Sequence, residues 1–162
     1  MSESRCAHCG RELSDRDRHV RFGLPDAVFA HPEAERQAAW MMPTDKPDLL
    51  AFEKKRFVRA LLPVHLDDGA SVTFGTWLEV ALADFNHAVE VWLDDDAYGD
   101  LVVGGQIANA VPPWRDEMMG RPCTARVLVD DQIPYVVAST DALVARILTG
   151  SWPAATIVAS LP

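Results

Sequence analysis

The sequence predicts an α+β domain: a mostly antiparallel sheet with helices packed on one face and an N-terminal CxxCG turn at its periphery. Three observations lead there. Between residues 71 and 94 the hydrophobic rhythm changes without a breaker, from period two to steps of three and four. Most apolar runs are separated by hairpin-length turns rather than the long crossovers a parallel sheet needs. Ahead of them stands Cys6-Ala7-His8-Cys9-Gly10, a compact turn with no apolar face of its own.

Composition narrows the class further. A chain of 162 residues with 49% hydrophobic and 24% charged residues is one globular domain, able to form a core without disulfides. The expected layout is a single domain over 1–162, with 1–24 as a peripheral cysteine-turn segment and 25–162 as the α+β core. A formal charge of −9 argues against a nucleic-acid groove or an anionic membrane surface, because both require clustered Lys and Arg. No apolar run is long enough to cross a bilayer, and the first residues lack the apolar core of a signal peptide. The expectation is a cytoplasmic protein whose three cysteines are reduced thiols or metal ligands.

In chain order, Cys6 and Cys9 with Gly10 directly after them have the spacing of a zinc knuckle, in which a tight turn points both sulfurs at one metal. Structural zinc needs four ligands, and only two are supplied. Cys123 lies far along the chain in an expected strand, and His8, His19, His31, His65 and His87 form no second pair. The alternative is a turn carrying two ordinary thiols. Residues 12–21 are charged and read as a solvated connection or a short hairpin arm, and Gly23, Pro25 and Asp26 mark a turn. A helix start follows at Pro32, with Glu33 and Glu35 in its first turn.

Residues 48–52 form a short apolar run, Glu53, Lys54 and Lys55 a hairpin turn, and residues 56–64 a strand ending near Pro63. His65, Asp67 and Asp68 then share a turn with Gly69. They suit either a cation or proton-shuttle site or, as the turn chemistry favours, a hairpin loop in which Gly69 supplies positive φ. The central unit comes next. Val72, Phe74, Thr76, Leu78 and Val80 share one strand face, and Leu82, Phe85, Val89 and Trp92 one helical stripe. Asp94, Asp95 and Asp96 oppose the helix dipole and so belong to the following loop, a solvated surface or a cation site.

Further along, Gly104 and Gly105 lack the GxGxxG spacing and the lysine of a phosphate loop. Trp114 beside two prolines reads as an exposed partner patch or as a lid on the core. Strands are expected over 123–129 and 133–138, joined at Asp130, Asp131 and Gln132. A helix then begins at Ser139, Thr140 and Asp141 and stops at Gly150, and Ser151 caps a second short helix.

In this order the features resemble a bacterial family known as domain of unknown function 2199. The likeness rests on the cysteine pair with glycine, TDKPDLLAFEKKRFVRALLPV, TFGTWLEVALADFNHAVEVW, the TARVLV strand and the TDALV helix start, and it runs from Arg5 into the last helix. GTWLEVALADFNHAVEVW is its most specific part. Members often have a histidine shortly after the cysteine pair, where this chain has Leu13, and a cysteine ahead of the first long strand, where it has Leu49 and Leu50. If those positions complete a metal site in relatives, that site is weakened or absent here. The resemblance implies a shared fold and assigns no catalytic role.

Two functions follow from the residues. One is a small cytosolic binding protein, without an evident catalytic set, that meets a basic partner surface as a toxin-neutralising immunity protein does. The other is a zinc protein, with structural or catalytic metal held by Cys6 and Cys9. A hydrolase using His65 with Asp67 or Asp68 is a third reading, and it lacks any nucleophile context.

Overall fold

A computed structural model describes residues 4–5, 12–13, 17–44 and 47–162. Two strands dominate it. β6 (Lys55–Leu66) and β7 (Ser71–Val80) form a long antiparallel hairpin, in register from Arg56↔Val80 to His65↔Ser71. The turn between them is built as its residues require. Asp68 Oδ1 accepts from the Ala70 N–H at 2.9 Å, and Gly69 sits at φ 84°.

The sheet does not stay open. From β7 it continues antiparallel through β8 (Val102–Ile107), β9 (Pro122–Arg126) and β10 (Tyr135–Ala138), and β10 then pairs parallel with β6 at Tyr135↔Leu61. A meander of five strands returns to its first strand with the same direction, so the closing pair is parallel and the sheet is a small barrel. The mixed helix-and-strand class and the mostly antiparallel sheet stand as expected, and the closure into a barrel is additional to them.

Both long strands share their outer edges among several partners. The first half of β7 pairs parallel with β3 (Asp17–Arg21), and the second half pairs with β8. Residues 17–21, expected as a solvated connection or a short hairpin arm, are therefore a strand of the main sheet, paired parallel rather than as a hairpin. On β6 the outer edge takes β5 (Leu49–Phe52), then β10, then β11 (Ser151–Trp152), while β4 (Trp40–Met41) extends β5. Pro63 lies inside β6 rather than ending it. Arg59 N donates to Asp48 O and Leu61 N to Pro134 O, so alternate amides face the outer edge, and the amide that proline lacks falls between β10 and β11. β1 (Ser4–Arg5) and β2 (Glu12–Leu13) form a separate antiparallel pair.

The barrel interior is filled from every wall. Val58, Ala60, Leu62 and Val64 of β6 meet Val72, Phe74 and Leu78 of β7, Val103 and Ile107 of β8, Ala125 of β9 and Val136 of β10. α3 (Leu82–Val91), α4 (Ala142–Thr149) and α5 (Ala154–Ser160) bring Phe85, Ala88, Val91, Val144, Ile147 and Ile157 to the same cluster. The stripe of α3 is rotated from the expected one. Phe85, Ala88 and Val91 are buried, while Leu82 is 56% exposed because the helix has only just left the barrel at that point. α4 starts as expected: Asp141 accepts from Val144 N at 3.0 Å and caps it. Ser151 and Trp152 form β11 instead of capping a helix, and Pro153 precedes α5.

The outer face of the β6–β7 hairpin is covered as well. Phe57 and Trp77 pack with Leu50, Phe52 and Val28, the last from the single turn α1 (Asp26–Phe29). Helical cover is thus not confined to one face, and the expected turn at Asp26 is itself helical. The helix start at Pro32 is borne out as a second single turn, α2 (Glu33–Arg36), with Pro32 as its N-cap. Gly105 in β8 is explained by close packing. A Cβ there would lie 2.7 Å from the Glu79 carbonyl oxygen and 2.9 Å from Val80 Cγ1, so β8 crosses β7 only with glycine at that position. Trp114 is half-buried on the core, with its ring edge-on to Trp152 at 5.0 Å, and is a lid rather than a free patch. Among the described residues no helix is long and apolar enough to cross a membrane.

Candidate functional site

The most heavily buried polar cluster lies on the outer face of the hairpin. Arg59 of β6 and Trp77 of β7 are cross-strand partners, and the guanidinium lies over the indole at 4.3 Å. Arg59 is 1% exposed, with its Nε 3.6 Å from Asp48 Oδ1. Arg21 of β3 reaches the same oxygen at 3.5 Å. At these distances the carboxylate is a Coulombic partner of Arg59 rather than a hydrogen-bonded one, and Arg59 Nε and Nη1 make no hydrogen bond. Burial, and then repulsion by Arg21, pull the Arg59 guanidinium down to about 9, against the opposing pull of Asp48, and leave it charged at neutral pH.

The cluster holds a strap. Three successive backbone carbonyls, of Phe22, Gly23 and Leu24, accept from Trp77 Nε1 at 3.1 Å, Arg59 Nη2 at 3.3 Å and Asn109 Nδ2 at 2.9 Å. Asn109 is fully buried and satisfied on all sides. It also donates to Asp26 Oδ1, and its Oδ1 accepts from Trp77 N and Thr76 Oγ1. These groups are engaged in fixing the chain between β3 and α1.

The residues singled out from the sequence are placed as follows. Cys6, His8 and Cys9 lie outside the described residues. The ladder Ser4↔Leu13 and Arg5↔Glu12 joins the chain on either side of them. Leu49 and Leu50, where relatives were expected to carry a cysteine, are fully buried core. Cys123 is buried in β9, where burial pushes its thiol up to about 12. His65 is an exposed end of β6. Asp67 Oδ1 accepts from Ala154 N at 3.1 Å at the start of α5, so that turn docks the C-terminal helix and does not assemble a catalytic pair. Among the described residues no three His, Cys, Asp or Glu side chains come together to hold a metal ion.

One surface gathers exposed acidic and apolar side chains from two loops. The loop after α3 carries Leu93, Asp94, Asp95, Asp96 and Asp100, and the loop after β9 carries Leu128, Val129, Asp130 and Asp131, all exposed. Tyr98 joins the two loops. Its ring stacks edge-on with Trp92 at 5.3 Å, and its hydroxyl donates to Gln132 O at 2.6 Å. Asp130 Oδ1 is close enough to Gly99 that a Cβ there would meet it at 2.8 Å. Asp94 closes its own turn, accepting from Asp96 N and Ala97 N. Burial, with the Asp48 and Asp130 carboxylates adding to it, pushes the Tyr98 phenol well above its ordinary value, so the hydroxyl keeps its proton. Residues 92–101 and 127–134 contain no Lys or Arg. The result is an acidic patch interleaved with Leu93 at 72%, Leu128 at 54% and Val129 at 46% exposure. Each acidic run was visible in the sequence as a solvated turn. Their convergence was not, because it depends on one tyrosine bridging two loops.

Residues 5–146 match the family model described as an uncharacterised protein conserved in bacteria, DUF2199. No curated protein and no solved structure matches the chain.

Proposed function

The chain belongs to that family, and from this premise we propose that it is a small cytoplasmic binding protein whose acidic loop surface meets a basic partner, in the manner of an immunity protein. The observation that carries this reading is the pairing of the 92–101 and 127–134 loops, which sets exposed leucine and valine among carboxylates with no basic residue in either loop. Apolar side chains supply contact area, and the surrounding charge steers encounter and rejects acidic partners. The test is capture from the producing bacterium, identification of the bound protein, and association kinetics with that protein purified. Wild type is expected to bind a basic protein at a rate that falls steeply with salt. Joint Asp→Asn replacement at 94, 95, 96, 130 and 131 should slow association by about tenfold or more. Equal rates and equal salt dependence in the two proteins would reject this surface.

A second reading rests on the β1–β2 ladder, which draws together the two ends of the stretch containing Cys6 and Cys9. In it the CxxCG turn holds zinc and stiffens the N-terminal segment. Cys123 is too buried to react, so the other two thiols report directly. Protein purified without chelator should release zinc on chelation and expose two thiols to a colorimetric reagent in the same step. Two thiols that react at once, with no zinc released, end the metal reading.

A further inference from the structure

A cleft of about 420 Å³ lies where the strap, the stretch after β8 and the end of α5 meet, on ground separate from the acidic loops. Phe22, Pro112, Leu161 and Pro162 give it apolar walls, and Arg115 is its one charged side chain. The cleft is open to solvent on one side, and its lining is largely apolar with few polar groups. Two facts single out Arg115. Its backbone is at φ 52°, a left-handed state that glycine adopts freely and a long side chain does not. Its side chain is exposed, and its guanidinium is left available at the rim of the cleft, with no ion pair to a described residue. Ser160, the other polar side chain on the lining, already donates its proton to Ile157 O at 2.6 Å, so Arg115 is the only side chain with donors to offer.

We propose that this cleft binds a small organic carboxylate, with Arg115 forking the carboxylate and the apolar body lying against Phe22, Pro112 and Leu161. The planar guanidinium matches a carboxylate with two parallel hydrogen bonds. A phosphate dianion fits less well, because one cation leaves half its charge unpaired and the field of a chain at −9 repels it. Strap and cleft share Phe22, whose amide and carbonyl are both held by β7, so this wall is rigid before any ligand arrives.

The test is an amide NMR titration of the full chain with phenylacetate, octanoate, phenylacetamide and phenyl phosphate. Saturable shifts at Phe22, Ala110 and Ser160 are expected with the two carboxylates, and affinity at least about tenfold weaker for the neutral amide. Arg115→Gly suits the backbone and removes the fork, so it should fold and lose about tenfold or more in carboxylate affinity. Ala159→Phe, at the exposed end of α5, should weaken binding by filling the cleft while leaving the arginine in place. The proposal is overturned if neither carboxylate gives saturable shifts at those amides, if phenylacetamide or phenyl phosphate binds as tightly, or if Arg115→Gly binds like wild type.

Discussion

Replacing Asp48 with alanine is expected to destabilise the fold by about 3–5 kcal/mol, the range for removing one partner of a buried ion pair. The cost comes from what is left behind. Arg59 is 1% exposed and its Nε and Nη1 have no hydrogen-bond acceptor, so without the carboxylate 3.6 Å away it becomes a buried cation repelled by Arg21. Asp48's own backbone bond, from Arg59 N to its carbonyl, survives the substitution, so the loss isolates the side chain. Arg59→Met should be much milder, because it removes the charge together with its need for compensation and keeps the stem over Trp77. Urea unfolding at neutral pH checks both, with the midpoint shifting at constant slope. A loss for Asp48→Ala below about 1 kcal/mol would mean that water reaches the pair and that it behaves as a surface bridge.

The sequence showed local faces well and closure poorly, for one physical reason. Periodicity reports which side of a strand or helix is apolar, a property of neighbours along the chain. Val72 to Val80 and the Asp141 cap were legible on that basis, as was the glycine at 69. Barrel closure depends on Tyr135 meeting Leu61, a pairing between strands far apart in sequence that no period records. β3 was legible only as a linker or a hairpin arm, because its residues are charged and its parallel partner lies far along the chain. Arg18 is exposed, while Arg21 turns inward to Asp48. Both faces of β7 proved buried, and Trp77 on the supposed outer face was the available hint, since a tryptophan is seldom left bare on a strand. The same limit applies to function. The acidic runs each read as solvated turns, and only the fold brings the two loops onto one surface.

Trp77→Ala should cost about 3–5 kcal/mol, the range for truncating a fully buried aromatic residue. Trp77 contributes three things at once. Its ring fills the space between Phe57 and Val28, its face receives Arg59 at 4.3 Å, and its Nε1 donates to the Phe22 carbonyl. Trp77→Phe separates them: most of the buried area remains, the strap bond goes, and a loss of about 1–2 kcal/mol is expected. A double-mutant cycle of Trp77→Phe with Arg59→Met then measures the ring–cation contact. Because that contact is desolvated, a coupling of about 1–2 kcal/mol is expected, whereas sites that do not communicate add to within about 0.5 kcal/mol. Additivity here would assign the stabilising role of Trp77 to packing and the strap alone. Strong coupling would mean that the indole face is what allows a chain of this size to keep an incompletely bonded arginine inside its fold, with Asp48 as the only carboxylate within reach among the described residues.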